Sequence, residues 1–443
     1  VGLAIAYTVH RKGRKVSLRW ALEPLFGRRV RGWLGDVVDV FAIVGTLFGV
    51  AASLGFGASQ FTSGLEYLNI LKSEIWVLLA VIAIITSLAT CSVLSGLDRG
   101  IKWLSNANLM LAAVLALAVL LLGQPLFVLR EFVQTIGDYL SNFVHLSSRT
   151  LPFQGGEGES WLGQWTTYYW GWWISWSPFV GIFIARISKG RTVREFVAGV
   201  LAVPTLVTFL WFSIMGGTAL WQQLEWQRIN GTDDDALMDA YGNSSGLVGG
   251  DGTVDKVNAL FQVLQHIPAS NVLIVGFLIL LVIFFVTSAD SAAFVVDMVA
   301  TGGEQDPPVL TRVMWAILGG GIAAVLLWGG AAAGGNLTAG LDALQTMTIL
   351  AAAPFSVVMV LACLATLRAF SNEHRQRLRL ENRVLRREMT EHVMGKVTEH
   401  VKESVAEHLD GQEITVSEES ASGERTPRPF RIKLSKHRSH TSE

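Results

Sequence analysis

Eight long apolar runs, near 37–62, 75–97, 105–128, 161–186, 193–221, 270–300, 309–330 and 338–369, fill most of this 443-residue chain. Each is longer than the roughly 20 residues that a helix rising about 1.5 Å per residue needs to cross a bilayer's hydrocarbon. Backbone in that medium must satisfy its polar groups within the segment, which commits such runs to helix. The expected fold class is an all-α integral membrane protein. Charged residues make up 16% of the chain and mean hydropathy is +0.43, too little charge and too much apolar surface for a soluble protein of this length. A net charge of −1 supplies no basic field for nucleic acid. Cys91 and Cys363 each lie in an apolar run, where they behave as small hydrophobes. The first residues, Val1 to Val9, are apolar with no charged region ahead of them and read as the second half of a further span.

Lysine and arginine orient these spans, because short cytoplasmic loops are enriched in them. Arg11, Lys12, Arg14, Lys15, Arg19, Arg28, Arg29 and Arg31, then Arg99 and Lys102, then Arg186, Lys189, Arg191 and Arg194, then Arg312 all fall on one side. That side is expected to be cytoplasmic, with the tail after residue 370. The chain then divides into a span end with a basic connector (1–36), three helices (37–128), an outer-surface amphipathic helix and loop (129–160), five helices (161–370) and a charged tail (371–443). In the outer loop, Asp233 to Asp235 and Gly249 to Gly252 lack the ligand spacing of a calcium loop and read as a solvated acidic insertion. The tail begins as a long helix, with Val393, Val397, Val401, Val405 and Leu409 on one stripe. It ends in a polar segment with a basic stretch from Arg428 to Arg438, either a solvated appendage or a contact for anionic lipid.

The segment Trp165-Thr-Thr-Tyr-Tyr-Trp-Gly-Trp-Trp-Ile-Ser-Trp-Ser-Pro178 holds five of fifteen tryptophans and two of six tyrosines. An interfacial aromatic belt accounts for Trp161 and Trp165. It accounts poorly for Trp170, Trp172, Trp173 and Trp176, which helical rise carries toward mid-bilayer, and with Tyr168 these are the candidate substrate-binding residues. Ring faces are negative, and boxes of them recognise quaternary ammonium groups, cations without a proton to donate. A second polar interruption, Thr287, Ser288, Asp290 and Ser291 after Phe284, breaks a strongly apolar helix. Hydroxyls there suit a hard cation such as sodium, while their local alternative is to bond back to a carbonyl one turn earlier. For Asp290 the structural reading, a hydrogen-bond hub, is preferred over direct ligation. Gly45, Gly49, Ala51, Ala52, Gly55, Gly57 and Ala58 allow close helix approach. Pro178, Pro204 and Gly319-Gly-Gly321 are expected to distort their helices. No nucleophile elbow, phosphate loop or zinc motif occurs, so neither an enzyme nor an ATP-driven pump is expected, and no cofactor.

The string Trp165 to Gly181, followed by Ala185-Arg-Ile-Ser-Lys-Gly-Arg191 and Arg194-Glu-Phe196, closely resembles the signature of the betaine/choline/carnitine transporter family. The likeness runs to about residue 372 and includes Ser105-Asn-Ala-Asn108 and Thr287-Ser-Ala-Asp-Ser291; Gln164 departs from it. The resemblance implies inverted five-helix repeats of the leucine-transporter type behind two leading helices. On that plan this chain begins inside the fourth span, with the first spans missing. It implies that Trp173 lines the substrate cage, with Trp172 and Trp176 flanking it, and that Phe284, Thr287 and Ser288 form the main sodium site. Thr46 and Phe179 match a second sodium site, where Val50 replaces a threonine. The expected function is import of glycine betaine by sodium-coupled alternating access in the cell membrane, by a homotrimer under osmotic control. Choline or carnitine as substrate, proton coupling or exchange, and a non-transporting sensor or remnant are the alternatives.

Overall fold

The computed structural model describes residues 1–95, 98–230, 247, 254–304 and 306–408. The acidic insertion at Asp233–Asp235 and Gly249–Gly252, Leu409 and the basic stretch Arg428–Arg438 lie outside these residues. The described helices are α1 (Gly2–Ala6), α2 (Leu18–Ala21), α3 (Glu23–Phe26), α4 (Trp33–Tyr67), α5 (Ile75–Ser95), α6 (Asp98–Leu122) and α7 (Pro125–Ser147). They continue with α8 (Gly155–Trp161), α9 (Tyr168–Ile187), α10 (Val193–Asn230), α11 (Ala259–Gln265), α12 (Ser270–Ala300), α13 (Val309–Gly334) and α14 (Leu337–His408). Seven of them, α4, α5, α6, α10, α12, α13 and α14, contain a stretch long and apolar enough to cross a membrane. The protein is thus an all-α, multi-span membrane protein.

The run at 161–186, expected as one span distorted at Pro178, is built differently. Its first part, Leu162–Thr167, is a π turn, and α9 begins only at Tyr168. Tyrosine and tryptophan carry polar tips and dilute hydropathy, so α9 is not among the seven even though its 20 residues match the bilayer's length. Pro178 does not break it. The carbonyl that loses its N–H partner to proline, that of Ile174, accepts the Ser177 hydroxyl at 2.7 Å instead. Pro204 likewise sits inside a continuous α10, and Gly319–Gly321 inside a continuous α13.

Two compact units are distinguished, Val1–Ala369 and Phe370–Glu443. In the first, α4 is central because its small residues admit neighbours on several sides. At Gly57 a Cβ would lie 1.8 Å from the ring of Phe285 on α12, a separation no side chain tolerates. The buried Asp39 near the start of α4 accepts hydrogen bonds from Ser17 and Arg19, tying the basic connector to this helix. Helix α7 is amphipathic and largely exposed, and Tyr139 packs edge-on against Phe209 of α10 at 5.2 Å. In the second unit, Val393, Val397 and Val401 are exposed. A four-residue spacing overshoots a helical turn by about 40° at each step, so this row winds round α14 rather than forming the single straight stripe expected.

Candidate functional site

Aromatic residues of α9 recur at i, i+4, i+8 and so stack along one side. Tyr168 lies parallel to Trp172 with centroids 6.4 Å apart, Trp172 meets Trp176 edge-on at 6.0 Å, and Trp176 meets Phe179 at 5.6 Å. Tyr168 is buried and also touches Phe56 of α4 at 5.9 Å. Polar tips of the ladder are held by α4. The indole N–H of Trp172 donates to the Ser53 hydroxyl at 3.0 Å, and that of Trp176 to the Gly49 carbonyl at 3.0 Å. Ser53 itself donates to the same Gly49 carbonyl at 3.0 Å. Gly49 must be small, since a Cβ there would lie 2.8 Å from Trp176 Cδ1. Ser175, on the same side of α9, donates to the carbonyl of Thr348.

The five expected cage residues do not converge equally. Trp172 and Trp176 are half-buried on α4, while Trp173, tilted against Trp172 at 5.8 Å, is 62% exposed. Trp170 is 67% exposed and stands about 200° round the helix from Tyr168, facing away from the ladder. Trp161 and Trp165 each face a cation of the protein itself: Arg149 lies 4.5 Å from the Trp161 ring and Lys256 5.4 Å from that of Trp165. Gln164, the departure from the family pattern, accepts a hydrogen bond from Lys256 Nζ at 2.7 Å and so steadies that cation. Among the described residues no lysine or arginine lies over Trp172, Trp173 or Trp176.

On α12, Phe284 is 48% exposed and Thr287 and Ser288 are half-buried. The Thr287 hydroxyl donates to the carbonyls of Ile283 (2.9 Å) and Phe284 (3.0 Å), the local bonding that was one of its two readings. Its lone pairs stay available, so the bond does not conflict with cation ligation. Asp290 is buried and accepts from Ser92 of α5 at 3.2 Å, joining two helices. Thr46 is buried and donates to the Ala42 carbonyl at 2.8 Å. It borders a narrow cavity between α4, α5, α12 and α13, and Phe179 is not among the residues lining that cavity. Ser53 and Lys256 escaped sequence reasoning, and Gly49 was read for packing alone, without its carbonyl's part as an acceptor. The small pair at 49 and 53, one turn apart like Trp172 and Trp176, was the available signal for two of them.

Residues 1–375 match the model of the betaine/carnitine/choline family of transporters. The chain belongs to this family. An uncharacterised transporter of Mycobacterium tuberculosis is 52% identical over 371 residues, covering 84% of this chain and 58% of that protein. A glycine betaine transporter of Bacillus subtilis is 46% identical over 220 residues, 50% of this chain and 43% of its own length. An osmo-dependent choline transporter of Acinetobacter baylyi is 41% identical over 220 residues, 50% of this chain and 32% of its own length. The chain of this betaine/carnitine/choline family member therefore spans less than two thirds of these curated relatives. The family is one of transporters and not of enzymes.

Proposed function

We propose that this chain carries the substrate-handling part of a secondary transporter that imports a quaternary ammonium osmolyte, glycine betaine, by sodium-coupled alternating access. One observation carries the reading: Trp172 and Trp176 have already given their N–H groups to α4, so what they offer a ligand is ring face alone. Ring face without a free donor favours a cation that needs no hydrogen bond, a trimethylammonium head. Neither ring face holds one of the protein's own described lysines or arginines, unlike those of Trp161 and Trp165. Relatives named for glycine betaine and choline support the same substrate class. Phe284, Thr287 and Ser288 are the proposed sodium ligands, with Thr46 and Phe179 candidates for a second ion. Hydroxyl oxygens fit that role by their hardness.

The protein is proposed to lie in the cell membrane as a homotrimer with its tail in the cytoplasm, where the tail tunes the response to osmotic stress. The deciding experiment is uptake of radiolabelled glycine betaine into proteoliposomes containing the intact transporter, with and without a sodium gradient, using Trp173→Ala as control. Sodium-dependent uptake that the substitution weakens, through a KM raised roughly 30-fold, is expected. Uptake indifferent to sodium would remove Thr287 and Ser288 from coupling, and no uptake would bring choline and carnitine forward. An osmotic response unchanged by deletion of residues 373–443 would refute the role given to the tail.

A further inference from the structure

Thr86 is an exception among the buried hydroxyls of the described spanning helices. Thr46, Thr62, Thr90, Thr218 and Thr348 each turn Oγ1 back onto a carbonyl three or four residues earlier in the same helix. That bond is freely available to any helical threonine and satisfies its hydroxyl inside hydrocarbon. The Thr86 hydroxyl is sealed from solvent and has no hydrogen-bond partner among the described residues. It is directed across the helix boundary, since a Cβ placed on Gly320 of α13 would lie 2.1 Å from its Oγ1. Gly320 is thereby explained: the close approach of this hydroxyl requires glycine there, whereas a Cβ on Gly319 or Gly321 would meet nothing within 4 Å. Thr86 and Gly320 line the same cavity as Thr46, a space of about 20 Å³ otherwise walled mainly by Leu47, Val50, Leu54, Ala292 and Ala293.

An orphaned buried hydroxyl is penalised, so a side chain that forgoes its local bond requires a partner elsewhere. We infer that the cavity is a binding site for one water molecule held between the hydroxyls of Thr86 and Thr46. Its volume accepts a single water, which needs at least two polar partners. Thr46 has given its proton to the Ala42 carbonyl and keeps its lone pairs to accept from the water. Thr86 is free to donate or accept, and completes the bridge. Two hydroxyls among alkyl groups supply too few oxygens to replace the hydration shell of a bare cation, which favours water over sodium here. The bridge ties α4 to α5 without any helix surrendering a backbone bond.

Melting of the purified intact protein with Thr86→Val and Thr86→Ser tests this. Valine keeps the shape and deletes the hydroxyl. If water is bound, the valine variant strands it and melts about 2 °C lower, while the serine variant stays near wild type. If the cavity is dry, valine removes an orphaned hydroxyl and melts at the same temperature or higher, which overturns the inference. Repeating the comparison with potassium in place of sodium separates the occupants: a valine deficit that vanishes in potassium means that an ion, not water, sits there. Should the valine variant fail to fold, an experimental density map of the wild type decides. A peak within hydrogen-bond distance of both hydroxyls supports the site and an empty cavity refutes it.

Discussion

Trp172 of α9 donates its indole N–H to Ser53 of α4, and the two residues, 119 apart in sequence, begin a relay that ends on one carbonyl. Ser53 in turn donates a hydrogen bond from its hydroxyl to the Gly49 carbonyl, the same oxygen that accepts from Trp176. Two ring planes are thus oriented by a single point on the neighbouring helix. Orientation matters because attraction between a cation and a ring depends on presenting the face rather than the edge.

Removing the relay's middle member leaves a part-buried indole N–H without its acceptor. Ser53→Ala is therefore expected to cost about 1–3 kcal/mol in stability and to weaken substrate affinity, because Trp172 is no longer held. Trp172→Phe, which deletes the donor together with its need for a partner, is expected to be much milder in a thermal melt. Equal losses in the two variants would mean that packing, not the hydrogen bond, dominates at this contact.

Trp173 presents an exposed face beside Trp172, with no lysine or arginine over it among the described residues. A desolvated cation–π contact is worth up to about 2 kcal/mol, so Trp173→Ala is expected to raise the uptake KM for a trimethylammonium substrate roughly 30-fold. Trp173→Phe should retain part of the affinity, since a smaller ring keeps a weaker face. A dimethylamine analogue, which can donate a hydrogen bond, gives a direct comparison: a preference for it over the trimethylammonium form would contradict a cage built of ring faces.

The long apolar runs were legible because hydrocarbon leaves the backbone no alternative to helix. The aromatic string of α9 stood out because so many indoles at mid-span exceed what an interfacial belt explains. What could not be read was pairing. Nothing local distinguishes Ser53, which receives Trp172, from Ser87, which bonds back within its own helix. Lys256 finds Trp165 across 91 positions of sequence, and Thr86 differs from Thr90 only in the direction its hydroxyl takes. Helical spacing predicts which residues share a face. It does not predict which neighbouring helix that face meets, and Trp170 shows the consequence, grouped with Trp172 and Trp176 by sequence and turned from their ladder by rotation.

Gly57 of α4 has no room for a Cβ. With the Phe285 ring where its Cβ would stand, Gly57→Ala forces either the ring or the helix to move, an overpacking penalty of about 1–3 kcal/mol. Phe285→Leu should relieve it, so that the double variant is more stable than the sum of the single losses implies. Thermal melts of the three variants check the coupling; strict additivity would show that the strain is absorbed elsewhere.

Glu131 on α7 carries the pH dependence that can be assigned outside the spans. Its Oε2 is buried against Gly217 of α10, where a Cβ would lie 2.0 Å away, and has no hydrogen-bond partner among the described residues. Desolvation by burial pushes its pKa above the ordinary carboxylate value. A raised acid pKa means that the folded state holds the proton where the unfolded chain has released it. The buried acid is thus harmless below the ordinary pKa; stability falls as pH rises from there through the folded value and is flat above it. Glu131→Gln removes the charge and keeps the shape. Its melting temperature is expected to match wild type at about pH 4 and to exceed it at about pH 7. A wild-type advantage at the higher pH would mean that the carboxylate has acquired a counter-charge, and that α7 is held to α10 by attraction rather than by apolar contact alone.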